Sequence, residues 1–194
     1  MTPRAAFLAA AIAILLAGCA PLDRPPSPEP DYYRLSYEMR EVPCETAFSD
    51  GVLVREFTAD RPFEQERMVF LGRNRTVRFS ERARWIAEPG VMLGEAVLRD
   101  LSRSGLFPFA SEVSDPDGAS LELSGRILRF AAKPCDSGYR AMLGVAVRLG
   151  ERGSGTAPLF RKSYSLQSGC FPAGDAAGFA KSMSRLTAEL SAEL

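Results

Sequence analysis

Histidine is missing from all 194 residues. That absence removes Ser-His-Asp and Cys-His nucleophile systems, and with them the commonest zinc ligand. An enzyme built on this chain is confined to carboxylate, lysine or thiol chemistry. Cysteine is scarce: Cys19, Cys44, Cys135 and Cys170 are the only four, and none is spaced as CxxC, so a dithiol redox motif is lacking. No GxxxxGK[ST] run is present to cradle nucleotide phosphates. Neither sign of charge is in excess, with 24 basic and 24 acidic residues, which argues against a nucleic-acid binder. Long apolar runs are lacking too. The run Phe7 to Leu16 falls well short of the roughly 20 residues needed to cross a hydrocarbon core.

What is present begins at the N-terminus. Arg4 supplies a positive start, the short apolar run follows, and Leu16-Ala17-Gly18-Cys19 closes it. That order is a secretory signal with small residues at the cut, and the cysteine after Ala-Gly resembles the bacterial lipobox. The resemblance implies cleavage before Cys19, with a covalent diacylglycerol thioether and an N-acyl chain on that residue as the only attached groups. One acyl chain holds a membrane marginally, whereas several hold it firmly. Ala20, not Asp, follows the cut, which resembles the outer-membrane cargo of enterobacterial sorting. The expected location is therefore lipid-anchored, periplasm-facing and on the outer membrane.

Residues 1–18 thus read as a lipoprotein signal peptide and 19–30 as a lipidated cysteine with a leash. Pro21, Pro25, Pro26, Pro28 and Pro30 stiffen that leash. At about 3.1 Å per residue it lifts a domain some 30 Å from a bilayer. Residues 31–194 read as one α+β domain, long enough to bury a good core. Short β-branched or aromatic runs at 32–35, 52–57, 68–71 and 76–79 predict strands. After Pro89, Leu93, Val97 and Leu101 form an apolar helical stripe, with Arg99, Asp100 and Arg103 facing away. Gly105 suits a left-handed cap. A strand is expected over 106–113, with Phe107 and Phe109 sharing a core-directed face. Residues 120–168 predict a three-stranded antiparallel meander, with a phase slip and a bulge near Gly125. Phe179, Met183, Leu186, Leu190 and Leu194 predict a closing helix. The expected architecture is a mainly antiparallel sheet carrying two principal helices.

The meander bears on the cysteines. Its first and third strands run the same way, so Cys135 and Cys170 fall at one end of the sheet. Two ladder spacings are roughly 9.6 Å, and a disulfide needs Cα atoms within about 7 Å. Cys135–Cys170 is therefore the favoured pair if the chain bends inward there. Cys44 is then left over, and pairings through it stay open.

One stretch carries a family resemblance. It runs Glu66-Arg67-Met68-Val69-Phe70, Val77-Arg78-Phe79, Arg84-Trp85-Ile86-Ala87-Glu88-Pro89, Met92-Leu93 and Leu98 to Leu101. With Tyr32-Tyr33-Arg34-Leu35 after a lipobox, it resembles the ABC-type transport auxiliary lipoproteins, which accompany paraquat-inducible and Mla-like lipid transporters. The resemblance implies partners bearing an MCE domain and an ABC permease and ATPase. It implies a lipid or hydrophobic-solute cargo and no hydrolysis by this chain.

Arg73, Arg75, Arg78, Arg82 and Arg84 crowd one stretch and are candidates to meet phospholipid headgroups or an acidic partner. Glu64, Glu66, Glu81 and Glu88 offset them, so a solvated face is the plainer account. Trp85 is either an interface anchor or a wedge between helix and sheet. Asp115, Asp117 and Gly118 faintly suggest a calcium loop, but Arg126 stands where the twelfth-position Glu belongs, and no metal site is expected. Two alternatives accompany the transport reading. One is an envelope lipoprotein that activates a peptidoglycan synthase or assists outer-membrane assembly. The other is a thiol enzyme on Cys44, which has no histidine to lower its pKa. Self-association stays open.

Overall fold

The computed structural model describes residues 29–39, 47–112, 118–155 and 157–194. Cys19, Cys44, the leash up to Pro28 and the Asp115–Asp117 turn lie outside the described residues. The strands are β1 (Asp31–Tyr33), β2 (Gly51–Val54), β3 (Thr58–Ala59), β4 (Arg67–Leu71), β5 (Val77–Trp85), β6 (Ala110–Ser111), β7 (Ala119–Cys135), β8 (Gly138–Glu151) and β9 (Phe160–Phe171). The helices are α1 (Pro89–Ser104), between β5 and β6, and α2 (Ala176–Ala192), which closes the chain. Among the described residues these strands form one sheet.

β7, β8 and β9 make the antiparallel meander. The rest of the sheet departs from the antiparallel expectation. The segment from β2 to β4 runs along the free edge of the long β7 in three short pieces, each parallel to it. β2 also pairs parallel with β6, and β1 with β5, while β4 and β5 form an antiparallel hairpin. The sheet is mixed. Period-two alternation specifies which face a side chain takes but carries no information on strand direction.

Both helices cover one face. Leu93 and Val97 of α1, and Phe179, Met183, Leu186 and Leu190 of α2, are buried against it. Phe179 is the aromatic centre of the core, within 5.4–5.8 Å (ring centroids) of Trp85, Phe70 and Phe171. α1 starts at Pro89, whose missing N–H suits a first-turn position. It stops where Gly105 takes φ 71°, a conformation only glycine adopts cheaply.

On β7, Leu121, Leu123 and Ile127 point to the helices, and the phase then slips so that Phe130 continues the face. The slip lies between Ile127 and Arg129, not at Gly125, and Leu128 is left 41% exposed. Gly125 has another role. A Cβ there would collide with the Phe57 ring, so the missing side chain lets Phe57 lie over the strand. β5 also runs further than its sequence suggested, through Trp85, which ends a strand and does not lead into the helix. The 106–113 strand shrinks to β6. Phe107 enters the core, whereas Phe109 stays partly exposed at the edge.

Candidate functional site

The arginine cluster does not form one surface. Arg73 and Arg75 lie in the β4–β5 turn, where Arg75 has φ 58°. In the β4–β5 ladder Phe70 pairs with Arg78, whereas Arg67 pairs with Arg84. Between those pairs β5 carries three extra residues, which reverses its alternation. Arg78 therefore shares the helix-side face with Phe70, and Arg84 points to the opposite face. Arg78 and Arg73 edge a hollow of about 420 Å³ floored by Phe70, Tyr139 and Pro134. Arg82 edges a neighbouring hollow of about 560 Å³ with Asp31, Ser80, Tyr139 and Asp175, 3.9 Å from the Asp31 carboxylate. Arg84 is half-buried, and its Nε has no hydrogen-bond partner among the described residues.

Trp85 is 1% exposed. Its ring packs edge-on against Phe130 and Phe179, 5.2 and 5.4 Å away. It therefore cannot touch a headgroup or a partner. The interface reading is corrected, and the wedge reading describes it.

Cys135 and Cys170 are joined by a disulfide with Cα atoms 6.4 Å apart. Cys135 is the last residue of β7, at a tight hairpin, and Cys170 lies within β9, not beyond it. Both flank β8. A register shift between Arg140 and Met142 in the β8–β9 ladder coincides with the contraction below two ladder spacings.

A buried polar knot was not foreseen. Asp100, placed on the outer face of its helix by the sequence pattern, is 4% exposed. Its carboxylate accepts hydrogen bonds from Tyr37 Oη at 2.5 Å, Ser191 Oγ at 2.6 Å and Arg99 Nε at 3.0 Å. Burial, then the hydrogen bond to Asp100 and that group's charge, push the Tyr37 hydroxyl well above the usual tyrosine range. The knot ties the segment after β1 to both helices. Ser36 N–H adds a hydrogen bond to Ser184 Oγ at 3.0 Å. The chemistry is that of a clasp: a buried Asp100 side chain with its donors already in place.

The second unforeseen feature is the sheet face away from the helices. Arg126, Arg129 and Lys133 project there from β7, Arg140 and Arg148 from β8, and Arg161 from β9, as the ladder registers dictate. Arg126 is bridged to Asp60 at 2.6 Å. The other five form no ion pair among the described residues. A signal for this face stood in the sequence. The outward positions of the meander are mostly cations, hydroxyls and small residues, which overall neutrality conceals.

No family model and no curated protein matches the chain. Solved structures do. The fold is similar to that of protein XCC0632 from Xanthomonas campestris, described with the family model DUF330. The TM-score is 0.72 at 16% identity, over 84% of this chain and 91% of that one. It is also similar to an uncharacterized protein, with TM-score 0.63 and 14% identity over 85% and 95% of the two chains. The hypothetical protein CT253 from Chlamydia trachomatis follows at TM-score 0.50 and 11% identity, over 75% and 93%. At such identities the likeness is one of fold alone.

Proposed function

We propose that this chain is a membrane-anchored accessory lipoprotein of an MCE/ABC-type transport system for lipid or another hydrophobic solute, acting by tethering and docking. The observation that carries the reading is Leu16-Ala17-Gly18-Cys19 placed before a proline-rich leash and a folded domain. Acyl chains on Cys19 would confine the domain to the periplasmic side of the outer membrane. The leash would set its reach, and confinement would raise its effective concentration near an MCE partner and the permease–ATPase pair. The stretch that carries the family resemblance supports the reading: it folds as β4, β5 and α1 in unbroken succession. No helix among the described residues is long and apolar enough to cross a membrane; in this reading acyl chains on Cys19 supply the anchor. Hydrolysis belongs to the ATPase partner in this scheme, and the chain itself turns over no substrate.

Two measurements test it. Intact mass of the mature protein from its native host should show an N-terminus at Cys19 with a diacylglycerol and an N-acyl chain. Affinity recovery from gently solubilised membranes should bring down an MCE-domain protein and a permease. A mature N-terminus elsewhere, or recovery of neither partner, overturns the proposal.

A further inference from the structure

The uncovered face of the meander is arranged against its own stability. Register places Arg148 directly opposite Arg161, and Lys133 directly opposite Arg140. Like charges facing each other across a ladder destabilise a sheet. No carboxylate among the described residues forms an ion pair with any of the four. On the wing, Arg67 stands opposite Arg84, turned to the same side. That is three like-charge cross-strand pairs on one face of a chain whose total charge is zero. A sheet built there for stability alone would offer a carboxylate to each cation, as Glu122 does to Arg55 at 2.9 Å and Asp60 does to Arg126.

The shape narrows the occupant. From the Arg148 row to the Arg140 row is about 27 Å along the strands, and β7 to β9 is roughly 10 Å across. Between the cations lie Gly144, Ala146, Ser163, Ser165 and the row of Met142 and Gln167, with Met142 only 9% exposed and no aromatic side chain among them. Protein-binding faces centre on large anchors in desolvated pockets, with charges at the rim. Here the cations stand in rows at both ends of the patch and along β7, and no exposed large anchor occupies its middle. The apolar projection is Leu128, pushed outward by the bulge between Arg126 and Arg129. A flat cationic field with a protruding leucine suits a polyanionic surface with an apolar layer beneath it.

We infer that the outward face of β7–β9 docks the domain onto an anionic phospholipid surface, through Arg129, Lys133, Arg140, Arg148 and Arg161. The inference takes only the presence of a membrane from the lipoprotein reading. Its test uses no acyl chain and no transport partner, so the two fail separately. Acylation and a cationic patch are the two signals that together hold a peripheral protein firmly.

The test uses the mature chain from position 19 carrying Cys19→Ser, mixed with phosphatidylcholine vesicles with or without phosphatidylglycerol. Co-sedimentation should require phosphatidylglycerol and fade as salt rises to about 1 M, where the Debye length is ~3 Å. The double substitution Arg148→Gln/Arg161→Gln should weaken binding about 30-fold, from roughly fivefold per charge. The same substitution removes a repulsive pair, so Tm should stay level or rise, which separates lost docking from lost folding. Arg73→Gln/Arg75→Gln, in the β4–β5 turn, should leave binding unchanged. Equal binding to neutral vesicles, no binding to anionic vesicles at low salt, or a loss that follows Arg73 and Arg75 instead overturns the inference.

Discussion

Tyr37 reaches from the segment after β1 to a carboxylate that both helices enclose. Hydrogen bonds to a charged group contribute about 1.5–3 kcal/mol, so Tyr37→Phe should destabilise the domain by that amount in a urea titration at neutral pH. The pH dependence follows from the raised Tyr37 pKa. Above about pH 10 an unfolded tyrosine sheds its proton while the folded one keeps it, so the contribution is complete below that pH and drains as pH climbs toward the folded value. The gap between wild type and Tyr37→Phe should narrow from pH 10 upward; a constant gap would sink the account. A second residue test concerns Gly125. Gly125→Ala drives a methyl into the Phe57 ring and should cost about 1–3 kcal/mol by overpacking. Phe57→Leu in the same chain should recover part of that loss, a coupling readable from a double-mutant cycle. The helical apolar stripe in the sequence foretold the burial of Leu93 and Val97. It misplaced Asp100, because a carboxylate on a helix pattern reads as solvated unless donors arrive from elsewhere in the chain. Those donors, Tyr37 and Ser191, lie 63 and 91 residues away.

The helices were the most legible elements, because Pro89, Gly105 and a four-residue apolar repeat are local signals. The meander was legible for the same reason. Strand direction in β1 to β6 was not, since parallel docking along β7 is decided by which edge is free. Arginines interrupt the apolar pattern of β5 and hide its length in the sequence, although the reversal of alternation within it puts Arg84 on the outward face and leaves Trp85 in the core. The disulfide belongs at this scale: it staples the outer strands of the meander across β8, closing a loop of 35 residues. Restricting the unfolded chain over such a loop is worth about 3–4 kcal/mol. Cys135→Ser/Cys170→Ser should lower the unfolding free energy by that much while far-UV circular dichroism stays native, because the β8 ladders hold both flanks without the bond. Substituting both cysteines, not adding reductant, keeps Cys44 out of the comparison. A change below about 1 kcal/mol would mean that the unfolded state is not constrained there.

At the scale of the whole molecule the question is reach. The composition of residues 20–30 predicts an extended leash, and this property was readable only in sequence, since the stretch up to Pro28 lies outside the described residues. Extended polyproline-like chain advances about 3.1 Å per residue, whereas Gly/Ser chain of n residues has a root-mean-square span near 5–6 Å times the square root of n. Over the same stretch that is roughly 34 Å against roughly 18 Å. Replacing 20–30 by Gly/Ser of equal length, with Cys19 kept, should leave both the acyl mass and the Tm of the domain unchanged. Under the proposed transport reading, recovery of an MCE-domain partner should fall, because effective concentration collapses when a linker no longer matches the span between two sites. Restoring length with a longer Gly/Ser stretch should bring recovery back partway, since span returns but stiffness does not. If partner recovery is indifferent to both replacements, the leash sets no distance, and docking must be governed by the domain surface alone.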